Sequence, residues 1–331
     1  MILKFFSHLI LSTVLLQIFP VDGSDIQRLA NVTQAESAPS STYNAFSLPV
    51  PHLPEASDLN PIKMKPSSLG VVTSAVSAIV VDRKSKQILF QKNIDAPRSI
   101  GSITKLMTAF VFLNAKPNLQ ASAALETADF RSGGVQHLSL QEQITVKDLL
   151  YASLISSDNS ATASLVRISG MTNAEFIRKM NEAAVQMGME HTTFVDPTGL
   201  SPKNESVVTD IVKMLDAVSQ NEIIRDATEH DVFTIDGGSG KVYTLKSTDQ
   251  LLGSFINQSP YHVIAGKTGY LPEAGYCLGT VISHEGSGDI IVVVLGAETN
   301  ADRFQDIKSL VVWTYNTFKW SDKISYAPKT Y

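Results

Sequence analysis

Strand patterns stand at both ends of the folded part of this chain, with helical patterns between them. Near one end, Ser77-Ala78-Ile79-Val80-Val81-Asp82 reads as a buried strand, Arg83-Lys84-Ser85-Lys86 as a turn, and Gln87-Ile88-Leu89-Phe90-Gln91-Lys92 as the returning strand of a hairpin. Near the other, strands are expected over 261–267, 275–283 and 289–296, followed by a helix with Phe304, Ile307, Leu310, Val311, Tyr315 and Phe318 on one face. Helical periodicity covers 146–155, 161–168, 173–187 and 208–220. Strands this apolar need partners, so the two terminal groups must share one sheet, with a helical subdomain inserted between them. That is an α/β (α+β) fold, and the groove between sheet and helical part is where a site would form.

The 331 residues are 44% hydrophobic and 18% charged, and the chain is long enough for one large domain or two modest ones. The net charge of −5 is spread without long runs of one sign, which argues against a nucleic-acid surface. Residues 1–23 have the form of a secretory signal peptide: Lys4, a short apolar run to Phe19, then Pro20 and a small residue at Gly23. The run is interrupted by Ser7, His8, Ser12, Thr13 and Gln17, which disfavours an uncleaved membrane anchor. Cleavage after Gly23 would release the chain into the periplasm. Residues 24–70, rich in Ser, Thr and Pro, read as a disordered leader, 71–320 as the folded domain and 321–331 as a tail.

Three short motifs fall in order along the domain. Ser102-Ile103-Thr104-Lys105 precedes the apolar run 106–113 and is the one S-x-x-K in the chain. A serine and a lysine three apart at a helix start share a face, so the amine can reach the hydroxyl. Serine needs an adjacent base, and lysine serves as one when burial lowers its pKa. Taken alone, the pattern also fits a capping serine and a solvated lysine. The second motif, Ser157-Asp158-Asn159, is expected in a loop after a helix; it offers a proton relay and a hydrogen-bonding amide. The third, Lys267-Thr268-Gly269, is expected at a strand end, where cation and hydroxyl would hold a carboxylate and the glycine would admit substrate backbone.

Together these motifs are the signature of penicillin-binding proteins and class A β-lactamases. Over roughly 72–320 the chain resembles the S11 family of serine D-Ala-D-Ala peptidases, the low-molecular-mass penicillin-binding proteins. The likeness extends to Phe194-Val195-Asp196-Pro197-Thr198-Gly199-Leu200 and to Ser247-Thr248-Asp249-Gln250-Leu251-Leu252. Lys267 to Leu278 is similar to the penicillin-binding protein 7, or D-alanyl-D-alanine endopeptidase, branch. The resemblance implies a β-lactamase/transpeptidase-like fold with an antiparallel sheet, peptidoglycan stem peptides as substrate and β-lactams as inhibitors. It assigns Ser102, Lys105 and Ser157 to catalysis, and Asn159, Lys267, Thr268, Gly269 and the backbone of Tyr270 to substrate binding. It leaves endopeptidase and carboxypeptidase action both open.

A β-lactamase is the first alternative, but residues 190–200 lack the E-x-x-L-N context of a deacylating glutamate. A non-catalytic muropeptide-binding module is the second, and it would be expected to have lost Ser102 or Lys105. Cys277, the single cysteine, reads as a small core residue, and the seven histidines show no metal-ligand spacing. The glycines at 237, 238 and 240 lack the pattern of a phosphate loop. No cofactor is implied.

Overall fold

A computed structural model describes residues 60–134 and 136–320 of the protein. Five strands form the central sheet: β1 Ser77–Asp82, β2 Ile88–Lys92, β3 Tyr261–Leu271, β4 Gly275–His284 and β5 Ile290–Ala297. Their order is β3-β4-β5-β1-β2, and every neighbouring pair is antiparallel. The junction of the chain's two ends is the β5–β1 ladder, with Val293 opposite Ile79 and Ile291 opposite Val81. The shared sheet expected from the sequence is therefore present.

β1 and β5 lie in the interior of the sheet and are buried on both faces, which is why Ala78 to Val81 and Ile290 to Ala297 are continuously apolar rather than alternating. Ile79, Val81, Ile291, Val293 and Leu295 point into one core, shared with the helical subdomain. Ala78, Val80, Ile290, Val292 and Val294 point into a second core with Phe304, Ile307, Leu310 and Val311.

The helical part comprises α1 Thr104–Asn114, α2 Val146–Ile155, α3 Asn159–Ile168, α4 Asn173–Gln186, α5 Val208–Val218 and α6 Glu222–Glu229; α7 Asn300–Thr317 closes the domain. Capping sets several starts: the side chains of Thr145, Asp158, Thr172, Asn221 and Thr299 each accept a backbone N–H of the first turn. No helix among the described residues is long and apolar enough to cross a membrane.

Four expectations need correction. Residues 60–70 are not part of an unstructured leader: Ile62 and Lys63 pair antiparallel with Lys319 and Phe318, two residues beyond α7. Phe318 is accordingly a strand residue, not the end of the helix. The third motif is not at a strand end, because β3 continues to Leu271 while Thr268, Gly269 and Tyr270 pair with Leu278, Cys277 and Tyr276. The asparagine of the second motif opens α3 rather than lying in a loop, since Asp158 is that helix's N-cap. The signal segment 1–23, residues 24–59 of the leader and the tail 321–331 lie outside the described residues.

Candidate active site

Ser102 sits in a 3-10 turn, Gly101–Ile103, that runs directly into α1. The cap of α1 is Ile103, with no side-chain bond, so Ser102 is not a capping serine. Nor is Lys105 solvated. It is 0% exposed, one turn behind Ser102 in a helix whose Leu106, Met107, Val111 and Phe112 belong to the core.

Lys105 Nζ has three partners: Ser102 Oγ at 2.9 Å, Asn159 Oδ1 at 2.7 Å and the Thr198 carbonyl at 2.5 Å. The Asn159 amide is oriented by its own Nδ2, which donates to the Gly133 carbonyl at 2.7 Å. Two of the three partners can therefore only accept. A neutral amine has two N–H donors and one lone pair, so with Asn159 and Thr198 satisfied the lone pair is left for the Ser102 hydroxyl. Burial brings the Lys105 pKa down from its usual value to about 7, with the Asp196 and Asp158 carboxylates pulling the other way. The neutral form is thus well populated near pH 7.

The second wall is the α2–α3 connection. Ser157 is half-buried and held at φ 60°, a left-handed conformation that is costly for a residue with a Cβ. Asp158 is fully buried; its Oδ1 accepts from Ala161 N–H and its Oδ2 from His137 N–H, both at 2.9 Å. That carboxylate fixes the start of α3, and with it Asn159, against the loop carrying Gly133.

β3 forms the third wall. Lys267 is buried and, among the described residues, donates only a long bond, 3.3 Å, to the Thr268 carbonyl. Its pKa lies well below the usual lysine range, first through burial and then through the charges of Lys105 and Arg303, opposed by Asp249. Thr268 Oγ1 lies 2.6 Å from Thr248 Oγ1, and Thr248 N–H donates to the Ile155 carbonyl at the end of α2. Thr248 thereby ties the end of α2, two residues ahead of the second motif, to the third motif. A Cβ on Gly269 would fall 2.3 Å from the Ile100 carbonyl oxygen, and one on Gly101 would fall 2.8 Å from the Tyr270 nitrogen. Glycine at these positions lets the Ser102 turn lie against the backbone of 269–270. Behind the strand, Arg303 of α7 donates to the Gly269 carbonyl at 3.0 Å and the Cys277 carbonyl at 3.4 Å. Cys277 is buried, and burial pushes its thiol up to about 11, so it is a packing residue.

The structure also supplies residues that the motifs did not. Asp196 accepts from Thr198 N–H and Oγ1, Gly199 N–H and Ser201 N–H, closing the loop that presents the Thr198 carbonyl to Lys105. Asn204, fully buried, accepts from Val195 and Asp196 N–H and donates to the Asp196 carbonyl and to Thr104 Oγ1. Its own carbonyl accepts Ile100 N–H. One side chain and its backbone thus clamp this loop to the residues on either side of the Gly101–Ile103 turn. The D-P-T-G-L stretch carried the resemblance, but its residue types alone gave it no role.

Comparison with known proteins decides the family. The profile of the S11 peptidases, described as D-alanyl-D-alanine carboxypeptidase, matches residues 63–299. The chain belongs to this family. The S11 peptidase is similar to the D-alanyl-D-alanine endopeptidase of Escherichia coli, at 33% identity over 72% of this chain and 76% of that one. The Pseudomonas aeruginosa protein of the same name is 35% identical over the same shares. Among solved structures, the Streptomyces K15 DD-transpeptidase superposes with a TM-score of 0.68 at 28% identity, covering 75% of this chain and all of that one (100%). Penicillin-binding protein D2 of Listeria monocytogenes, in a cefotaxime-bound form, superposes at 0.65 with 29% identity over 75% of this chain and 100% of that one. The expected β-lactamase/transpeptidase-like fold is therefore present, and the S11 peptidase is a serine-type D-Ala-D-Ala peptidase.

Proposed function

We propose that the enzyme cleaves peptidoglycan stem peptides through a Ser102 acyl-enzyme, acting chiefly as a DD-endopeptidase on cross-links and secondarily as a DD-carboxypeptidase. The observation that carries the mechanism is the placing of Lys105 Nζ, 2.9 Å from Ser102 Oγ and in reach of two obligate acceptors, Asn159 Oδ1 and the Thr198 carbonyl, so that in the neutral amine the lone pair is left for Ser102. Ser102 Oγ attacks the carbonyl of the penultimate D-Ala as its proton passes to Lys105 Nζ. The backbone N–H groups of Ser102 and Tyr270 stabilise the oxyanion. The C–N bond then breaks, and the leaving amine takes a proton by way of Ser157. Asn159 holds the substrate amide, and Lys267 with Thr268 and the close backbone approach at Gly269 receive the carboxylate beside the leaving nitrogen. A carboxylate arriving at Lys267 offsets the burial and like-charge repulsion that depress its pKa, so Lys267 is best charged with substrate bound. Water attacks the ester and restores Ser102.

Support for endopeptidase action comes from relatives. Three bearing that name are 33–35% identical, whereas those named carboxypeptidases are 25–28% identical. The deciding quantity is kcat/KM on purified cross-linked muropeptide dimers against pentapeptide monomers. Preference for dimers is expected; an enzyme that trims monomers at least as efficiently would overturn the endopeptidase assignment and leave the Ser102 chemistry untouched.

The pH dependence tests the base. Below pH 7 Lys105 holds its proton and has no lone pair, so acylation by a fluorescent penicillin should rise with pH, half-maximal near 7. A rate constant flat from pH 5 to 9 would rule out a neutral Lys105 as base.

We place the enzyme in the periplasm, on the signal-like pattern of residues 1–23. N-terminal sequencing of protein recovered from a periplasmic fraction should begin near Ser24. Recovery in the membrane pellet with the first 23 residues attached would contradict this.

A further inference from the structure

Tyr270 has two parts with different surroundings. Its backbone lies so close to the Gly101–Ile103 turn that a Cβ on Gly101 would fall 2.8 Å from its nitrogen, while its side chain is 50% exposed. The ring is nevertheless held in place. It stacks on Tyr276, directly opposite on β4, with centroids 4.4 Å apart and planes 26° from parallel. The half-buried Tyr276 is backed in turn by the Arg303 guanidinium, 5.5 Å from its ring centroid. Arg303 is anchored to the Gly269 and Cys277 carbonyls. A large aromatic face is thus kept half in solvent on the edge strand of the sheet, supported by a second ring and a buried cation.

Thr268 and Tyr270 are two apart on β3, so their side chains share one face of the sheet, roughly 6.6 Å apart along the strand. A carboxylate at the Thr268 hydroxyl belongs to the leaving residue, so the Tyr270 ring borders the leaving group. For a free D-Ala that residue ends in a methyl. For a cross-link it is a diamino acid, whose methylene chain continues toward the second stem peptide.

We infer that the Tyr270–Tyr276 pair is an aromatic platform of the leaving-group subsite, packing against the methylene chain of the cross-linked diamino acid and favouring dimers over pentapeptides. This rests on the cross-link-cleaving activity proposed above, and the two are tested separately. The wild-type ratio of kcat/KM on dimers to that on pentapeptides tests the activity; the change of that ratio in variants tests the platform. Rates are normalised to sites titrated by fluorescent penicillin, so that misfolded protein does not enter. Tyr270→Ala should lower the ratio about tenfold, the worth of roughly two methylenes packed on a ring. Tyr270→Phe should hold it within about twofold, because the ring face remains. Tyr276→Ala, which removes the support from the neighbouring strand, should lower the ratio in the same direction. The platform is overturned if Tyr270→Ala and Tyr276→Ala both leave the ratio within twofold of wild type. It is also overturned if Tyr270→Phe lowers the ratio as far as Tyr270→Ala does, which would make the hydroxyl the recognising group. A wild-type enzyme that opens no dimers would remove the activity and the platform together.

Discussion

Ser102→Ala should abolish peptide hydrolysis and covalent labelling by a fluorescent penicillin together, each by a factor on the order of 10⁴ or more. Both reactions need the same Oγ, and the side chain's one hydrogen bond among the described residues is to Lys105. Its removal should barely affect the fold, so the melting temperature should stay near wild type. Lys105→Ala should come close to the same loss of activity, since members of one catalytic unit are not additive. Its effect on stability should differ. Without the amine, Asn159 Oδ1 and the Thr198 carbonyl lose their donor in a buried setting, at about 1–3 kcal/mol for each group left unsatisfied. Against that, a cation-forming group no longer has to be buried. Active-site titration and a melting curve on the same preparations separate the two effects. Penicillin labelling of Ser102→Ala at the wild-type rate would remove Ser102 as nucleophile.

Much of this was legible in the residues, and the reasons are specific. Ala78 to Val81 of β1 and the whole of β5 are apolar without alternation, which marks them as central strands, and two central strands from opposite ends of a chain have few partners other than each other. The three motifs were legible because their chemistry resides in side chains. What the sequence hid falls into two kinds. Backbone groups leave no residue type behind: nothing in the letter at 198 says that its carbonyl meets Lys105, and nothing at 157 says that a serine sits at φ 60°. Polar residues that act through other residues look like ordinary loop composition. Asn204 makes its bond to Thr104, at the start of α1, across about a hundred residues of sequence, a distance that no local pattern spans. The same holds for Ile62 and Lys63, whose Ser/Pro-rich surroundings read as unstructured and whose partners lie at the far end of the domain. Helix α6 escaped because it is only eight residues long, a little over two turns, too short for periodicity to stand out.

Gly199→Ala should show how closely that hidden loop controls the chemistry, and Gly188→Ala supplies its control. Both glycines have a left-handed φ, +84° at Gly199 and +71° at Gly188, so each alanine carries a backbone cost of about 1–2 kcal/mol. They differ in what the new Cβ meets. At Gly188 no atom of the described residues lies within 4 Å, and the backbone term is the whole effect. At Gly199 the Cβ would fall 2.2 Å from the Gly101 carbonyl oxygen, 2.6 Å from its carbon and 3.0 Å from the Ser102 Cα. All three are backbone atoms of the Ser102 turn, held from behind by Gly269 and Tyr270, so no flexible side chain can give way. The 196–204 loop must retreat on the order of an ångström, and the Thr198 carbonyl retreats from Lys105 with it. A displacement of that size in a catalytic array costs about 10²-fold in rate. Acylation by penicillin should therefore slow about a hundredfold in Gly199→Ala while staying near wild type in Gly188→Ala, and the melting temperature should fall further in the first than in the second. Equal acylation rates in the two variants would mean that the loop bearing Thr198 plays no part in setting the Lys105–Ser102 geometry.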